Sequence, residues 1–230
     1  MLKTNNNNRW RILKSPALWI GIVAAFLYSS WPLGYLLNPA VAHHAFASQL
    51  EASGQPYNWL FISLDVVSGF ALLMVGITQW IRTKHLAIRL SILSYSLFAI
   101  LIMVAALVPF NCDSMPTKCT DVIHSPLFVI HGLTSIVSIV ALFSCIFLII
   151  LSLFTRKRLR NMWLFAATIL TAWGVNGIVA IEDYHRVVEI IVQYIFITIC
   201  SVSIIFAVVF IEYLSKEIVP LSNDSTNVSQ

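Results

Sequence analysis

Two histidines and one aspartate stand inside long apolar stretches, where ionisable side chains are rare. His124 and His131 lie at the start of an apolar run that continues to Phe154, and Asp65 lies inside an earlier run. Seven residues separate the histidines, so on a helix they share roughly one face, about 10 Å apart along the axis. Such groups are costly in a membrane without a partner. Each therefore indicates either a functional site or a hydrogen bond that holds two helices together.

A second group of titratable residues precedes the last apolar run. Glu182, His185 and Glu189 are spaced by three and four residues, so one helical face could present all three. The dipole of a helix N-terminus also favours acids there, which would explain Glu182 without any site. The predicted binding pocket consists of Asp65, Ser68, His124, His131, Glu182, His185, Arg186 and Glu189.

The depth of these residues predicts that they converge on one pocket. Asp65 lies about 10 Å into its helix, and His131 lies a similar distance into its own, so both reach the same level. Their opposite ionisation tendencies make them candidate partners for each other. Ser68, three residues after Asp65, shares its face, Glu189 is expected at the rim, and Arg186 would balance the carboxylates.

The composition identifies an integral membrane protein. Hydrophobic residues make up 59% of the 230 residues and charged ones only 10%. Because the apolar residues form long blocks, the net charge of +4 indicates how basic residues flank membrane spans and does not indicate nucleic-acid binding. The chain outside the blocks, 1–16 and 215–230, is predicted to form polar tails.

The apolar blocks predict an all-α bundle of six transmembrane helices. Each block is long enough for about 30 Å of hydrocarbon. The predicted spans are Ala17–Leu37, Trp59–Ile81, Leu86–Pro109, Val122–Phe154, Met162–Ile181 and Val187–Leu214. The first block is longer than a signal-peptide core and is expected to be retained as a helix.

The basic residues predict the orientation of the bundle. Twelve of the fourteen flank the spans on one side, namely Lys3, Arg9, Arg11, Lys14, Arg82, Lys84, Arg89, Arg156, Lys157, Arg158, Arg160 and Lys216. The positive-inside rule then predicts that both termini lie in the cytoplasm. The predicted location is the inner or plasma membrane. The predicted pocket consequently faces outwards.

The loops on the predicted outer side contain further signals. Cys112 and Cys119 lie in one short loop, which favours a disulfide over half of a zinc site. The first outer loop, roughly twenty residues long, is expected either to be functional or to pack down as a lid, and Phe46–Leu50 is a candidate for a short interfacial helix. Trp31, Tyr35, Tyr57 and Trp59 are interpreted as interfacial anchors.

Several short motifs follow one another in an order that resembles a known family. They are Asn38-Pro, Ser48-Gln-Leu-Glu with Gly-Gln-Pro56, Leu-Asp65-Val-Val-Ser68-Gly69, Val-Pro-Phe before His131-Gly132, and His185-Arg186. Over about Ala17 to Leu214 they resemble the six-helix bacterial and archaeal family called domain of unknown function 998. A more distant likeness is to the Frag1/DRAM/Sfk1 group. Neither resemblance implies an activity.

Three functions remain open from the sequence, and the balance is against an enzyme. The first is binding or transport of a small cation, polar solute or lipid headgroup in the outward pocket. The second is a zinc-dependent intramembrane hydrolase acting on a lipid or amide, with His124, His131 and His185 as ligands and Asp65 as base. That site would resemble the alkaline ceramidase-like group, but the chain lacks its seven helices and its His-x-x-x-His pair. The third is a structural or interaction role.

Overall fold

The computed structural model describes residues 13–44, 47–108, 125–154 and 186–217. Within these ranges five helical segments are long and apolar enough to cross a membrane, and they are Pro16–Leu37, Asn58–Arg82, Leu86–Leu107, Pro126–Ser152 and Ile191–Ser215. The prediction of a multi-pass helical membrane protein is therefore confirmed. The predicted span Met162–Ile181 lies outside the described residues, so the count of six spans and the side of the termini stay predictions.

The described α-helices are named in chain order. They are α1 (Pro16–Tyr28), α2 (Gly34–Leu37), α3 (Pro39–His44), α4 (Asn58–Arg82), α5 (Leu86–Leu107), α6 (Pro126–Phe154) and α7 (Arg186–Glu217). There are also two short 3-10 helices in these ranges, Trp31–Leu33 between α1 and α2 and Ala47–Glu51 between α3 and α4.

The five long helices close into a ring. Around it α1 packs against α4, α4 against α5, α5 against α6, α6 against α7, and α7 back against α1. Close contact in a membrane depends on small residues, because lipid removes the hydrophobic driving force between helices. A Cβ added to Gly69 would lie 2.7 Å from the Ala99 carbonyl oxygen, and one added to Gly21 would lie 2.6 Å from a methyl of Val208.

The first span is interrupted, contrary to the continuous helix predicted over Ala17–Leu37. Helix α1 ends at Tyr28, and the 3-10 turn Trp31–Leu33 separates it from α2. Pro32 explains the break, since it has no N–H and its ring clashes with the preceding turn of an α-helix. The break turns Trp31 away from the predicted interface and onto Tyr194 of α7, with ring centroids 4.3 Å apart.

The first loop folds down onto the bundle, as expected. The Ala47 N–H donates to Gln193 Oε1 (2.8 Å), and the Tyr194 hydroxyl donates to the Ala42 carbonyl oxygen (2.9 Å). The predicted interfacial helix at Phe46–Leu50 is a 3-10 helix at Ala47–Glu51 instead. It is buried, with Leu50 only 1% exposed, because these hydrogen bonds hold it against α7.

Candidate functional site

A cavity of about 190 Å³ lies between the helices beneath the folded first loop. It occupies the end of the bundle that the charge pattern predicts to face outwards. Every long helix contributes to its wall, and so does the 3-10 helix Ala47–Glu51. The residues on its wall whose side chains carry a polar group are Tyr28, Ser30, Trp31, Ser48, Glu51, Asp65, His131, Ser135, Ser138 and Gln193.

Asp65 pairs with a carboxyl group that the sequence had not assigned to it. Its partner is Glu51, at the end of the 3-10 helix, and the two side chains form a hydrogen bond. A carboxylate has only acceptors, so two carboxyl groups form such a bond only when one carries a proton. Burial raises the pKa of Glu51 to about 7, and its hydrogen bond with Asp65 acts against that rise. The hydrogen-bonded pair therefore holds at least one proton, and with one proton its net charge is −1.

His131 lines the same cavity as Asp65, and its described hydrogen bonds join it to the backbone at the end of α5. Its Nδ1 lies 2.9 Å from the Ala105 carbonyl oxygen, and the ring makes a further backbone hydrogen bond to Val108. These bonds fasten α6 to the end of α5. The predicted Asp65–His131 partnership stays a prediction.

Two serines extend the His131 face of α6 along the cavity. Ser135 donates to the His131 carbonyl oxygen (2.8 Å), and Ser138 donates to that of Ser135 (2.7 Å). Both hydroxyl protons are therefore committed to the helix. Each oxygen keeps acceptor capacity.

Ser68 has a structural contact and does not line the cavity. It is fully buried, and its hydroxyl donates to the Ala24 carbonyl oxygen of α1 (2.8 Å). Three residues along a helix correspond to about 300° of rotation, which is 60° short of a full turn. That offset suffices to turn Ser68 from the cavity towards α1.

Trp31 and Gln193 are cavity residues that sequence reasoning missed. Gln193 lies on α7, one turn after Glu189, and accepts the Ala47 N–H. The buried indole N–H of Trp31 has no acceptor among the residues that the structure describes. An orphaned donor of this kind costs about 1–3 kcal/mol. Pro32 was the available signal that Trp31 leaves the helix.

The remaining predicted site residues fall outside the described part of the chain. His124, Glu182 and His185 are not described, and nor are Cys112 and Cys119, so their disulfide receives no support from the structure and stays a prediction. Arg186 and Glu189 lie in the first turns of α7, but their side chains are not described. Within the described ranges no three His, Cys, Asp or Glu side chains are placed to hold a metal ion. The zinc site also stays a prediction.

A second polar cluster lies near the other end of the bundle. It joins α4 to α7 through two contacts, in which Gln79 Nε2 donates to Glu212 Oε2 and the hydroxyls of Thr83 and Ser215 lie 2.8 Å apart. All four residues are buried, Glu212 being only 1% exposed. We call them the inner cluster. Glu212 was missed, although an acid between Ile211 and Tyr213 in an apolar run was a signal of the same kind as Asp65.

The comparisons with known proteins give a family and no activity. A family model with the description "Protein of unknown function (DUF998)" matches residues 21–211, which confirms the resemblance predicted from the motifs. The chain matches no curated protein and no solved structure. The likeness to the Frag1/DRAM/Sfk1 group stays a prediction.

Proposed function

We propose that this chain, which belongs to the DUF998 family of membrane proteins, binds a small cation or polar solute in its cavity and exchanges it against a proton. The observation that carries this proposal is the Glu51–Asp65 pair on the cavity wall. In this function the pair is the binding group, and the predicted outward direction of the cavity gives the side from which the ligand enters.

The charge of the pair favours a cationic ligand. With one shared proton the pair has a net charge of −1, and a nearby positive charge favours the ionised form of both carboxyl groups. Binding of a cation therefore expels the shared proton. Exchange of one positive charge for another keeps the buried charge constant, which avoids the expense of a second uncompensated charge in a membrane protein.

The volume of the cavity favours a small ligand. A volume of about 190 Å³ corresponds to about six water molecules at roughly 30 Å³ each. That space suits a small solute or the end of a lipid headgroup. The folded first loop covers this space, and Glu51 connects the loop directly to the binding group on α4.

Proton release tests this function. Purified protein in weakly buffered detergent near pH 7 is titrated with small ammonium salts, sodium chloride and potassium chloride while an indicator follows the pH. We expect up to one proton released per chain by the ligand that binds. Asp65→Asn and Glu51→Gln should abolish the release, whereas Glu212→Gln, which alters an acid of the inner cluster, should keep it. Absence of release and of thermal stabilisation with every cation would contradict the proposal.

A structural role is the second candidate, and the same hydrogen bond favours it. The Glu51–Asp65 bond ties the first loop to α4, as the Ala47–Gln193 bond ties it to α7. If this is the whole role, Asp65→Asn lowers thermal stability while no cation changes the stability of the wild type. The titration therefore separates the two functions.

A further inference from the structure

We infer that the ligand of this cavity is a small organic ammonium compound that also carries a hydrogen-bond acceptor. The inference rests on the proposed function and names the chemistry of its ligand. Two features of the wall support it, and each concerns a different part of the ligand.

The aromatic wall favours an organic ammonium group over a bare metal ion. Tyr28, Trp31, Phe61 and Phe196 all line the cavity together with the carboxyl pair. Aromatic faces attract ammonium groups within about 6 Å of the ring centroid. Hard cations such as Ca²⁺ instead take six to eight oxygen ligands. Besides two carboxyl groups the described wall offers only neutral hydroxyl and amide oxygens, and no three His, Cys, Asp or Glu side chains of the described residues are grouped together.

The indole N–H of Trp31 calls for an acceptor on the same ligand. Indole nitrogen is only a donor. This one is buried, on a residue that lines the cavity, and has no acceptor in the described part of the protein. Stacking on Tyr194 fixes the ring, with an interplanar angle of 15°. Where the side chains around this buried N–H give way on binding, an oxygen on the ligand would satisfy the donor while the ammonium group meets Glu51 and Asp65.

Two sources could supply this chemistry. One is a free amino alcohol, and the other is the ethanolamine end of a phospholipid headgroup. Both carry an ammonium group and an oxygen acceptor a few atoms away, and both are within the size that about 190 Å³ admits.

The experiment compares ethanolamine with propylamine, which replaces the hydroxyl by a methyl group at the same chain length. Binding is measured by calorimetry on the full chain in a detergent free of amine lipids, with potassium chloride at equal ionic strength. We expect ethanolamine to bind about tenfold more tightly than propylamine, as one hydrogen bond to a previously orphaned donor can give. Potassium should bind more weakly than either amine.

A matched pair of variants assigns the preference to Trp31. Trp31→Phe removes the N–H and keeps an aromatic ring, so the two amines should bind equally. Trp59→Phe makes the same change at an exposed tryptophan (64% exposed) and should keep the tenfold preference. Thermal denaturation without ligand verifies that both variants fold. If Trp31→Phe does not fold, the wild-type ratio decides, and a ratio near one overturns the inference.

The failures of the two proposals are distinguishable. Equal binding of both amines, or an unchanged preference in Trp31→Phe, overturns the acceptor. Potassium binding as tight as the amines overturns the ammonium group. In these cases the proposed function stands as long as binding still requires Asp65. If no probe binds, the proposed function itself fails. Nanodiscs of phosphatidylethanolamine that compete with free ethanolamine, when phosphatidylcholine nanodiscs do not, identify a lipid source, and absence of competition identifies a free amine.

Discussion

The cavity and the inner cluster lie near opposite ends of the bundle, and each contains a hydrogen-bonded acid. They differ in the partner of the acid and in the space beside it. In both, an acid is buried between helices and hydrogen-bonded by a side chain of another element. At the cavity that element is a loop, and a volume of about 190 Å³ remains beside the pair. In the inner cluster both elements are long helices, and all four side chains are buried.

The difference shows that the partner decides what a buried acid does. An amide such as Gln79 does not titrate, so its bond with Glu212 has one arrangement and holds α4 to α7. A second carboxyl group titrates, so the bond of Asp65 with Glu51 is lost when both groups are ionised, because neither then has a donor. The inner cluster is thus a fixed contact between two helices. The hydrogen bond of the carboxyl pair, in contrast, can be broken by a rise in pH or by a cation.

Loss of the Gln79–Glu212 hydrogen bond should give the largest effect on stability. Gln79→Leu keeps the apolar volume but deprives the buried Glu212 of its amide donor, and hydrogen bonds to such groups contribute about 1.5–3 kcal/mol. We expect a loss of about 2–3 kcal/mol, measured by thermal or denaturant unfolding in detergent. Thr78→Leu, an exposed position one residue earlier on α4, is the control and should change little. Equal stability of the two variants would show that the Gln79–Glu212 hydrogen bond does not stabilise the protein.

The carboxyl pair should make stability depend on pH. Burial raises the pKa of Glu51 from 4.5 to about 7, so the folded state binds a proton that the unfolded state has released. Its contribution is full below about pH 4.5 and disappears as the pH rises through about 7. The steepest slope for one proton is about 1.4 kcal/mol per pH unit. Melting temperatures from pH 4 to 8 should show this decline in the wild type and a weaker decline in Glu51→Gln, which keeps Asp65. An identical slope in both proteins would contradict the assignment.

The second contact of the inner cluster should contribute less. Ser215→Ala removes the hydrogen bond to Thr83 and should cost about 1 kcal/mol in unfolding. Ser201→Ala is the matched control on α7, because that hydroxyl bonds only the Ile197 carbonyl oxygen of its own helix. Urea titration of both variants gives the comparison. A larger loss in the control would show that the Thr83–Ser215 bond does not connect the helices energetically.

The smallest expected effect is the coupling between Asp65 and His131. They line one cavity but bond different partners, so Asp65→Asn and His131→Ala should add to within about 0.5 kcal/mol in a double-mutant cycle. The cycle of Asp65→Asn with Glu51→Gln should deviate by about 1–3 kcal/mol, as neighbours in one network do. Strong coupling between Asp65 and His131 would instead support the partnership predicted from the sequence.

Sequence predicted well what depends on position along a helix. The level shared by Asp65 and His131 follows from helical rise alone, and both do line one cavity. The spans of α4 and α5 follow from their apolar length. The break after Tyr28 was also signalled, by Pro32, but the uninterrupted hydropathy obscured it.

Sequence could not predict what depends on the path of a loop or the rotation of a helix. Glu51 reaches Asp65 only because the first loop folds back over the bundle, and no local pattern specifies that return. Ser68 shares the face of Asp65 by spacing, yet the position of α1 decides that it bonds Ala24. One sequence alone does not show which distant elements contact each other.

The contact between α1 and α7 sets an order for biogenesis. Among the five described spans the first is synthesised earliest and has the lowest mean hydropathy, yet it packs against the last of the five. Until α7 is inserted, Gly21 lacks the contact with Val208. The ring therefore closes only after translation has passed Val208. A chain arrested between α6 and α7 would therefore leave the Gly21 side of α1 without this packing partner.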